Sequence, residues 1–278
     1  MTTRIICLIV FLSCSLHISA QKLEEIWATE PIFDTPESVL VDRQNNCLYV
    51  SNIGGKEPWL KDGNGFISKL SMDGNVIERV WAKGLNGPKG MTLIKDKLFV
   101  ADIDQIAVID IKTGNIIKTH VCKDCMALND VTDGKGKKIL VTDSRGRSLY
   151  EVDGKKYIKL IDSTKVTRPN GILTSNKETY ILDKDAVNRI TDGTLEMIVG
   201  GMPGGTDGIE PLSKNEFIVS CWSGTVYYVN IEQKSKVLLL DTTSKKINAA
   251  DIGLNKSTKT VYVPTFFDNR VVAYKFSM

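Results

Sequence analysis

Four oxygen-bearing side chains recur along the chain at a spacing that could gather them around one metal ion. The chain contains six short β-rich units, and each unit opens with one residue ahead of two apolar runs. These opening residues, separated by 37 to 52 positions, are Glu37, Lys89, Asn129, Asn170, Asp207 and Ala250. Carboxylate and amide oxygens suit hard cations such as Ca²⁺ and Mg²⁺, and carboxylates also accept Zn²⁺ or Mn²⁺. The alternative interpretation is that these polar residues line a wet channel and hydrogen-bond to turns.

Each unit must position its opening residue with four short strands. In the third unit Asn129 leads into further runs at 138–142, 148–152 and 157–161. Four strands about every 40 residues is the period of a propeller blade, so six units predict an all-β, six-bladed β-propeller with four-stranded antiparallel blades. The first strand of a blade lines the central channel, so the opening residues are expected to form a ring around the axis.

Both ends of the chain are expected to meet in the sixth blade. That unit stops after its third strand, at 270–276, and residues 23–27 are available to supply the missing outer strand. Such a closing strand would shield an exposed sheet edge. The first interval is long because 52–64 is a glycine-rich insertion, in which Trp59 either covers the channel mouth as a lid or packs on its rim.

The N-terminal segment has the pattern of a secretory signal peptide. Arg4 precedes an apolar run over 5–16, and small residues follow, so we expect 1–20 to be removed. The remaining 21–278 is expected to be a single propeller domain, exported to the periplasm or the extracellular medium and monomeric. A lipoprotein-like box ending at Cys14 leaves a lipid anchor there as the alternative.

The composition excludes several classes of function. The chain has 278 residues, of which 42% are hydrophobic and 25% charged, with a formal net charge of +3. That balance gives no strongly basic face, so nucleic acid is not an expected partner. No run approaches the roughly 20 apolar residues of a transmembrane helix, so none is expected.

Four cysteines remain after the predicted processing. Cys122 and Cys125 form a C-x-x-C pair, which is typical of a disulfide, a redox motif or half of a zinc site. No βαβ context and no second ligand pair accompany it, so we expect a tight loop disulfide. Cys47 and Cys221 lie in β-patterned runs and are expected to be buried.

Several of these strings resemble the senescence marker protein/gluconolactonase-like family, whose members include regucalcin and bacterial sugar lactonases. The resemblance covers nearly all of the predicted mature chain in order. It rests on Glu37, Asn129-Asp130, Pro169-Asn170-Gly171, and Asp207-Gly208 followed by the run 217–222. It implies a metal site of Glu37, Asn170 and Asp207 holding one divalent cation, Ca²⁺ foremost, with Asn129 beside the cation and the substrate.

The same resemblance implies hydrolysis of a lactone or related ester, with a lactone or sugar-like small molecule as the substrate. The cation would polarise the carbonyl, Asp207 would also serve as general base, and Asn129 would position the substrate or its oxyanion. Two positions depart from the family pattern. Ala127 stands where an Arg is frequent, and Ser38-Val39 follows Glu37 in place of Gly-Pro. Both departures lie at the substrate end.

Two other functions stay open. One is a non-catalytic propeller that binds a ligand or protein and carries a structural metal, and the other is a strictosidine-synthase-like or lyase activity. His120 is expected at the end of an outer strand in a structural role, which disfavours a Ser-His-Asp hydrolase. The segment 143–147 is expected to be a turn between second and third strands, or else to bring two arginines to the channel mouth to meet an anionic ligand.

Overall fold

A computed structural model describes residues 21–134, 136 and 138–278. The predicted signal peptide, with Cys14, lies outside the described residues. The described part of the chain folds into 24 strands in six four-stranded sheets, with two 3₁₀ turns at Thr243–Lys245 and Phe266–Asp268. The prediction of an all-β, six-bladed propeller is therefore confirmed.

The first three blades follow a single strand, β1 (Lys22–Ala28), and each runs outward from the channel in chain order. The first blade contains β2 (Pro36–Asp42), β3 (Cys47–Asn52), β4 (Gly65–Ser71) and β5 (Val76–Leu85). The second contains β6 (Pro88–Ile94), β7 (Lys97–Asp102), β8 (Gln105–Asp110) and β9 (Ile116–Val121). The third contains β10 (Leu128–Asp133), β11 (Ile139–Asp143), β12 (Ser148–Asp153) and β13 (Lys156–Ile161).

The remaining blades repeat this order until the last one. The fourth contains β14 (Pro169–Ser175), β15 (Glu178–Asp183), β16 (Ala186–Thr191) and β17 (Thr194–Val199). The fifth contains β18 (Thr206–Pro211), β19 (Glu216–Cys221), β20 (Thr225–Asn230) and β21 (Ser235–Asp241). The sixth contains β22 (Gly253–Asn255), β23 (Thr260–Pro264) and β24 (Val271–Ser277).

The two ends of the propeller join in the sixth blade, as predicted. β1 pairs antiparallel with β24, with Leu23 opposite Phe276, and so supplies the outer strand of the sheet. The innermost strand β22 is shorter than the predicted run from Ala250. Its preceding residues connect two blades instead, since Asp251 forms a parallel bridge with Ser38 of the first blade.

The core is divided among the interfaces between blades. At the interface of the fourth and fifth blades, for example, the Tyr180 and Phe217 rings pack with centroids 5.0 Å apart. Outer strands are more exposed, as at Ile158 and Leu160 of β13. Because apolar packing holds each blade against the next, the strand ends around the channel are held in fixed positions.

The cysteine predictions are confirmed. Cys122 and Cys125 form a disulfide between β9 and β10, with their Cα atoms 5.4 Å apart. Cys47 and Cys221 are buried free thiols. Within the described residues, no helix has the length and hydropathy needed to cross a membrane.

Candidate functional site

A β-bulge near the start of the innermost strand carries the opening residue in five blades. The bulged segments carry Glu37, Lys89, Asn129, Asn170 and Asp207. Their register with the second strand shifts between Pro36 and Ser38, Pro88 and Met91, Leu128 and Val131, Pro169 and Ile172, and Thr206 and Ile209. A bulge re-aims a side chain that a regular strand would direct elsewhere. The bulges therefore let these five side chains face a common space.

Three of these residues are followed by glycine because the innermost strands approach one another closely. A Cβ atom on Gly90 would lie 2.1 Å from Asp130 Oδ1, and one on Gly171 would lie 2.3 Å from the Asp207 carbonyl oxygen. A Cβ atom on Gly208 would lie 2.5 Å from the Ile252 nitrogen. Such contacts leave no room for a side chain, so the glycines permit the narrow ring.

All five bulged side chains line one cavity of about 390 Å³, a size suited to a small molecule. The structure thus brings together every predicted site residue: Glu37, Asn129, Asn170 and Asp207, with Lys89 among them. The sixth opening residue, Ala250, packs with Ile53 and Phe266. The ring is therefore polar in five blades and apolar in the sixth.

Two carboxyl groups in this cavity each have a buried oxygen without a hydrogen-bond partner. They are Glu37 Oε2 and Asp207 Oδ1, on side chains only 5% and 3% exposed. Burial raises the pKa of Glu37 well above its ordinary value, although the positive charge of Lys89 opposes this shift. Burial also raises the pKa of Asp207, and the negative charge of Asp251 adds to the effect.

Lys89 is the buried counter-charge to this pair of carboxyl groups. It is 2% exposed, and burial lowers the pKa of its amine while the charges of Glu37 and Asp207 raise it. Its Nζ atom lies 4.3 Å from the centroid of the Trp59 ring, within the range of a cation–π interaction. The sequence predicts Lys89 in the ring but not this contact, because Trp59 comes from an insertion that has no counterpart in the other repeats.

The donor set of the cavity fits a hard cation. Glu37 and Asp207 offer unpartnered oxygens, and the Asn129 amide nitrogen donates to Ser144 Oγ at 2.9 Å, which leaves its amide oxygen available. Across the described residues, no three His, Cys, Asp or Glu side chains are grouped to hold a metal ion. An ion here would therefore also require amide, backbone or water oxygens, such as Asn170 and Asn129 offer.

An acidic residue at the end of the second strand fixes the connector that leads to each of three ring residues. Asp183 Oδ1 accepts hydrogen bonds from the backbone nitrogens of Thr167 and Arg168 at 3.0 and 2.6 Å. In the second blade the Asp102 carboxyl accepts from the backbone nitrogens of Asn86 and Gly87. In the third blade the Asp143 carboxyl accepts from those of Met126 and Ala127. These aspartates are not among the residues predicted from the sequence, although an Asp closes each of three successive second strands.

Residues from connecting segments complete the cavity. Trp59 lines it, and Arg145 stacks on the same ring at 5.1 Å. Segment 143–147 does connect β11 to β12, as predicted, and of its two arginines only Arg145 reaches this ring, while Arg147 donates to the Ser163 carbonyl oxygen. Arg168 and an aromatic group of Trp222, Phe266 and Phe267 also line the cavity, and none of these four residues was predicted from the sequence to have a role there.

His120 lies away from this site. It is part of the outer strand β9, where its side chain is buried, and burial lowers the pKa of its imidazole. The expectation that His120 lies at the end of an outer strand is confirmed.

Fold and site together define a six-bladed propeller with a cavity lined by charged and amide side chains. No family model matches the chain, and no curated protein matches its sequence. The expected membership of the gluconolactonase-like family therefore gains no support at the level of sequence.

Solved structures resemble the chain over most of its length. A streptogramin B lyase matches with a TM-score of 0.65 and 14% identity, over 92% of this chain and 98% of that one. A catalytically inactive histidine-to-alanine variant of virginiamycin B lyase from Staphylococcus aureus, with quinupristin, matches with a TM-score of 0.63 and 12% identity, over 92% and 99%. A nidogen/laminin complex matches with a TM-score of 0.63 and 15% identity, over 79% and 84%. At these identities the likeness shows the fold alone.

Proposed function

We propose that this protein is a divalent-cation-dependent hydrolase of a lactone or related ester, similar to gluconolactonases. The observation that carries the proposal is the pair of buried, unpartnered oxygens on Glu37 and Asp207 in one cavity with two amide side chains. A buried carboxylate without partners costs folding free energy, and a bound cation offsets that cost. Ca²⁺ is the first candidate because the donors are all oxygen atoms, with Mg²⁺, Mn²⁺ and Zn²⁺ next.

Glu37, Asp207 and Asn170 would hold the ion, with Asn129 beside it. When bound, the ion would supply Lewis-acid polarisation of the scissile carbonyl. The Asp207 carboxylate would take the proton of the attacking water. One N–H of Asn129 donates to Ser144 Oγ, so the other N–H can bind the substrate oxygen. Lys89 would stabilise the carboxylate that forms when the ring opens.

The proposal includes export of the chain after removal of residues 1–20. The disulfide between Cys122 and Cys125 supports this part, since disulfides persist in oxidising compartments.

A second candidate is a binding propeller, in which the cavity holds a ligand without turning it over. The partly exposed rings of Trp222 and Phe267 at the cavity favour it, because aromatic side chains are frequent at binding surfaces. A lyase similar to the streptogramin B and virginiamycin B lyases fits less well. One of those structures is an inactive variant that lacks a histidine, whereas the described residues bring no histidine to this cavity.

The test is hydrolysis of γ-butyrolactone, γ-nonalactone and δ-gluconolactone by chelator-treated protein, with and without added Ca²⁺, Mg²⁺, Mn²⁺ or Zn²⁺. We expect ring opening that depends on one of these ions and that Asp207→Asn abolishes while circular dichroism is unchanged. A matched control is Asp110→Asn, since Asp110 accepts hydrogen bonds only within an exposed turn after β8. Absence of hydrolysis with every lactone and ion would reject the hydrolase and leave the binding propeller.

A further inference from the structure

We propose that the ligand of this cavity is a small amphiphilic acid, whose apolar body lies on Trp222, Phe266 and Phe267 while its carboxylate binds Arg168. The inference rests on the proposed function in taking the cavity as the ligand site and in counting a bound cation in its charge balance.

Arg168 is an exposed cation whose backbone is fixed and whose guanidinium forms no ion pair within the described part of the chain. Its backbone nitrogen donates to Asp183, and the following Pro169 restricts the chain further. The described residues give its guanidinium no hydrogen-bond or ion-pair partner, whereas Arg189 pairs with Glu178 and Glu196. A free guanidinium in a cavity is suited to bidentate binding of a carboxylate.

Glycine at position 205 makes room for this guanidinium. Gly205 has a φ of +83°, and a Cβ atom there would lie 2.4 Å from Arg168 Nη2. The Gly205 carbonyl oxygen accepts a hydrogen bond from the Trp222 nitrogen at 2.8 Å. The Arg168 guanidinium and the Trp222 backbone therefore both lie beside Gly205, and the two residues line the same cavity.

The aromatic group keeps apolar surface exposed at a conformational cost. Trp222 and Phe267 are 41% and 49% exposed. The Trp222 ring lies at 79° to the Phe266 ring, with centroids 5.7 Å apart, and at 82° to the Phe267 ring, with centroids 6.3 Å apart. Phe266 has a φ of +51°, which is rare for a bulky side chain. Strained backbone held by its surroundings is frequent where a protein contacts ligands. Phe266 is buried, whereas the described residues leave part of the Trp222 and Phe267 rings exposed, and an apolar ligand body would cover that part.

The charge balance of the cavity favours an anionic ligand. The carboxyl groups of Glu37 and Asp207 are matched by Lys89 and Arg168. A bound divalent cation would leave the cavity positive, and Arg145 on the Trp59 ring adds to that sign. A carboxylate is therefore the expected charge on the ligand.

The experiment compares three probes that separate the two halves of the ligand: 3-phenylpropionate, 3-phenylpropanol and propionate. We expect calorimetry to show 3-phenylpropionate binding at least about tenfold more tightly than either other probe, as for a charged hydrogen bond and a buried ring. Arg168→Gln should remove the preference over 3-phenylpropanol, and Trp222→Ala with Phe267→Ala should remove the preference over propionate. Arg43→Gln is the control, since Arg43 lies in the exposed turn between β2 and β3, away from the strand ends that carry Glu37 and Arg168.

The inference is overturned if the three probes bind alike, if none binds, or if the preference survives Arg168→Gln in folded protein. Lactone hydrolysis by the same preparations keeps the two proposals separate. Hydrolysis without any probe preference would overturn the inference alone. A probe preference that Arg168→Gln removes, in protein that opens no lactone, would support the inference and reject the hydrolase.

Discussion

Two tiers of buried acids surround the axis of this propeller, and they differ in how their oxygens are paired. The cavity tier, Glu37 and Asp207, has unpartnered oxygens. The channel tier, Asp130 and Asp251, lines a smaller cavity of about 100 Å³. Asp130 accepts hydrogen bonds from the backbone nitrogens of Val131 and Ile172, both at 2.7 Å, and Asp251 accepts one from the Ser38 hydroxyl at 2.6 Å.

Burial alone does not separate structural from functional acids in this molecule. It raises the pKa of all four carboxyl groups, that of Asp251 to about 7. The hydrogen bonds separate them, because the channel tier ties neighbouring blades together and the cavity tier leaves its oxygens open. We infer that the channel tier maintains the fold and that the cavity tier binds a cation.

The largest expected effect is on catalysis, through the cavity tier. Glu37→Gln or Asp207→Asn should lower lactone hydrolysis by about 100-fold or more, because each removes a charged donor to the cation. Without cation, either single variant should be at least as stable as the unmodified protein. A desolvated carboxyl that lacks a hydrogen-bond partner is replaced by a neutral amide, and the other carboxyl still offsets the charge of Lys89. Thermal unfolding in chelator measures the stability of these variants. A clear loss of stability would show that Glu37 and Asp207 maintain the fold, as the channel tier does.

Asp130→Ala should have the opposite profile. It leaves the amides of Val131 and Ile172 without an acceptor, so the free energy of unfolding should fall by about 1–3 kcal/mol. Cation affinity should stay within a few-fold of the unmodified value. Denaturant unfolding tests the expected loss of stability, and cation titration tests the expected affinity. A variant that keeps its stability but no longer binds the cation would show that the two tiers do not differ in role.

Lys89→Met should raise divalent-cation affinity by about tenfold, because it removes a buried like charge beside the ion. The same change should lower the stability of the cation-free protein, since Glu37 and Asp207 lose their counter-charge. Lys97→Met, at an exposed position of β7, is the matched control. Equal divalent-cation affinities of the two variants would show that the charge of Lys89 does not affect binding of the ion.

The smallest expected effect is on the pH dependence of stability. A carboxyl whose folded pKa is raised keeps its proton after the unfolded chain has lost it. The free energy of unfolding therefore falls as pH rises from the ordinary pKa to the folded one, and is unaffected below that window. In chelator, we expect the unfolding temperature to fall by about 2 °C or more over this range. The double variant Glu37→Gln, Asp207→Asn should show a smaller fall, and an unchanged slope would contradict the assignment. The charged groups facing this pair are Lys89, Asp130, Arg168 and Asp251.

The fold could be predicted because its signals are local and repeated. Strand alternation and a period near 40 residues define the blades, and the topology then gathers Glu37, Asn129, Asn170 and Asp207 although they are distant in sequence. Closure by β1 followed from counting strands in the last unit. The sixth innermost strand was predicted too long, because the bridge between Ser38 and Asp251 replaces regular pairing there.

The chemical state of the site could not be predicted, because it depends on register shifts and tertiary contacts. The bulges that aim the ring residues leave no simple periodic trace, and unpartnered oxygens on Glu37 and Asp207 become evident only once their neighbours are placed. The contact of Trp59 with Lys89 joins an insertion to another blade. The aromatic group likewise joins the end of β19 to the turn before β24, two segments whose proximity no local pattern indicates.

The central claim is that the cavity tier binds one divalent cation, and calorimetric titration of Ca²⁺ into chelator-treated protein tests it most directly. The account predicts about one ion bound per chain, and no binding to the folded double variant Glu37→Gln, Asp207→Asn. A folded unmodified protein that binds no Ca²⁺, Mg²⁺, Mn²⁺ or Zn²⁺, or a double variant that binds the ion equally well, would contradict it.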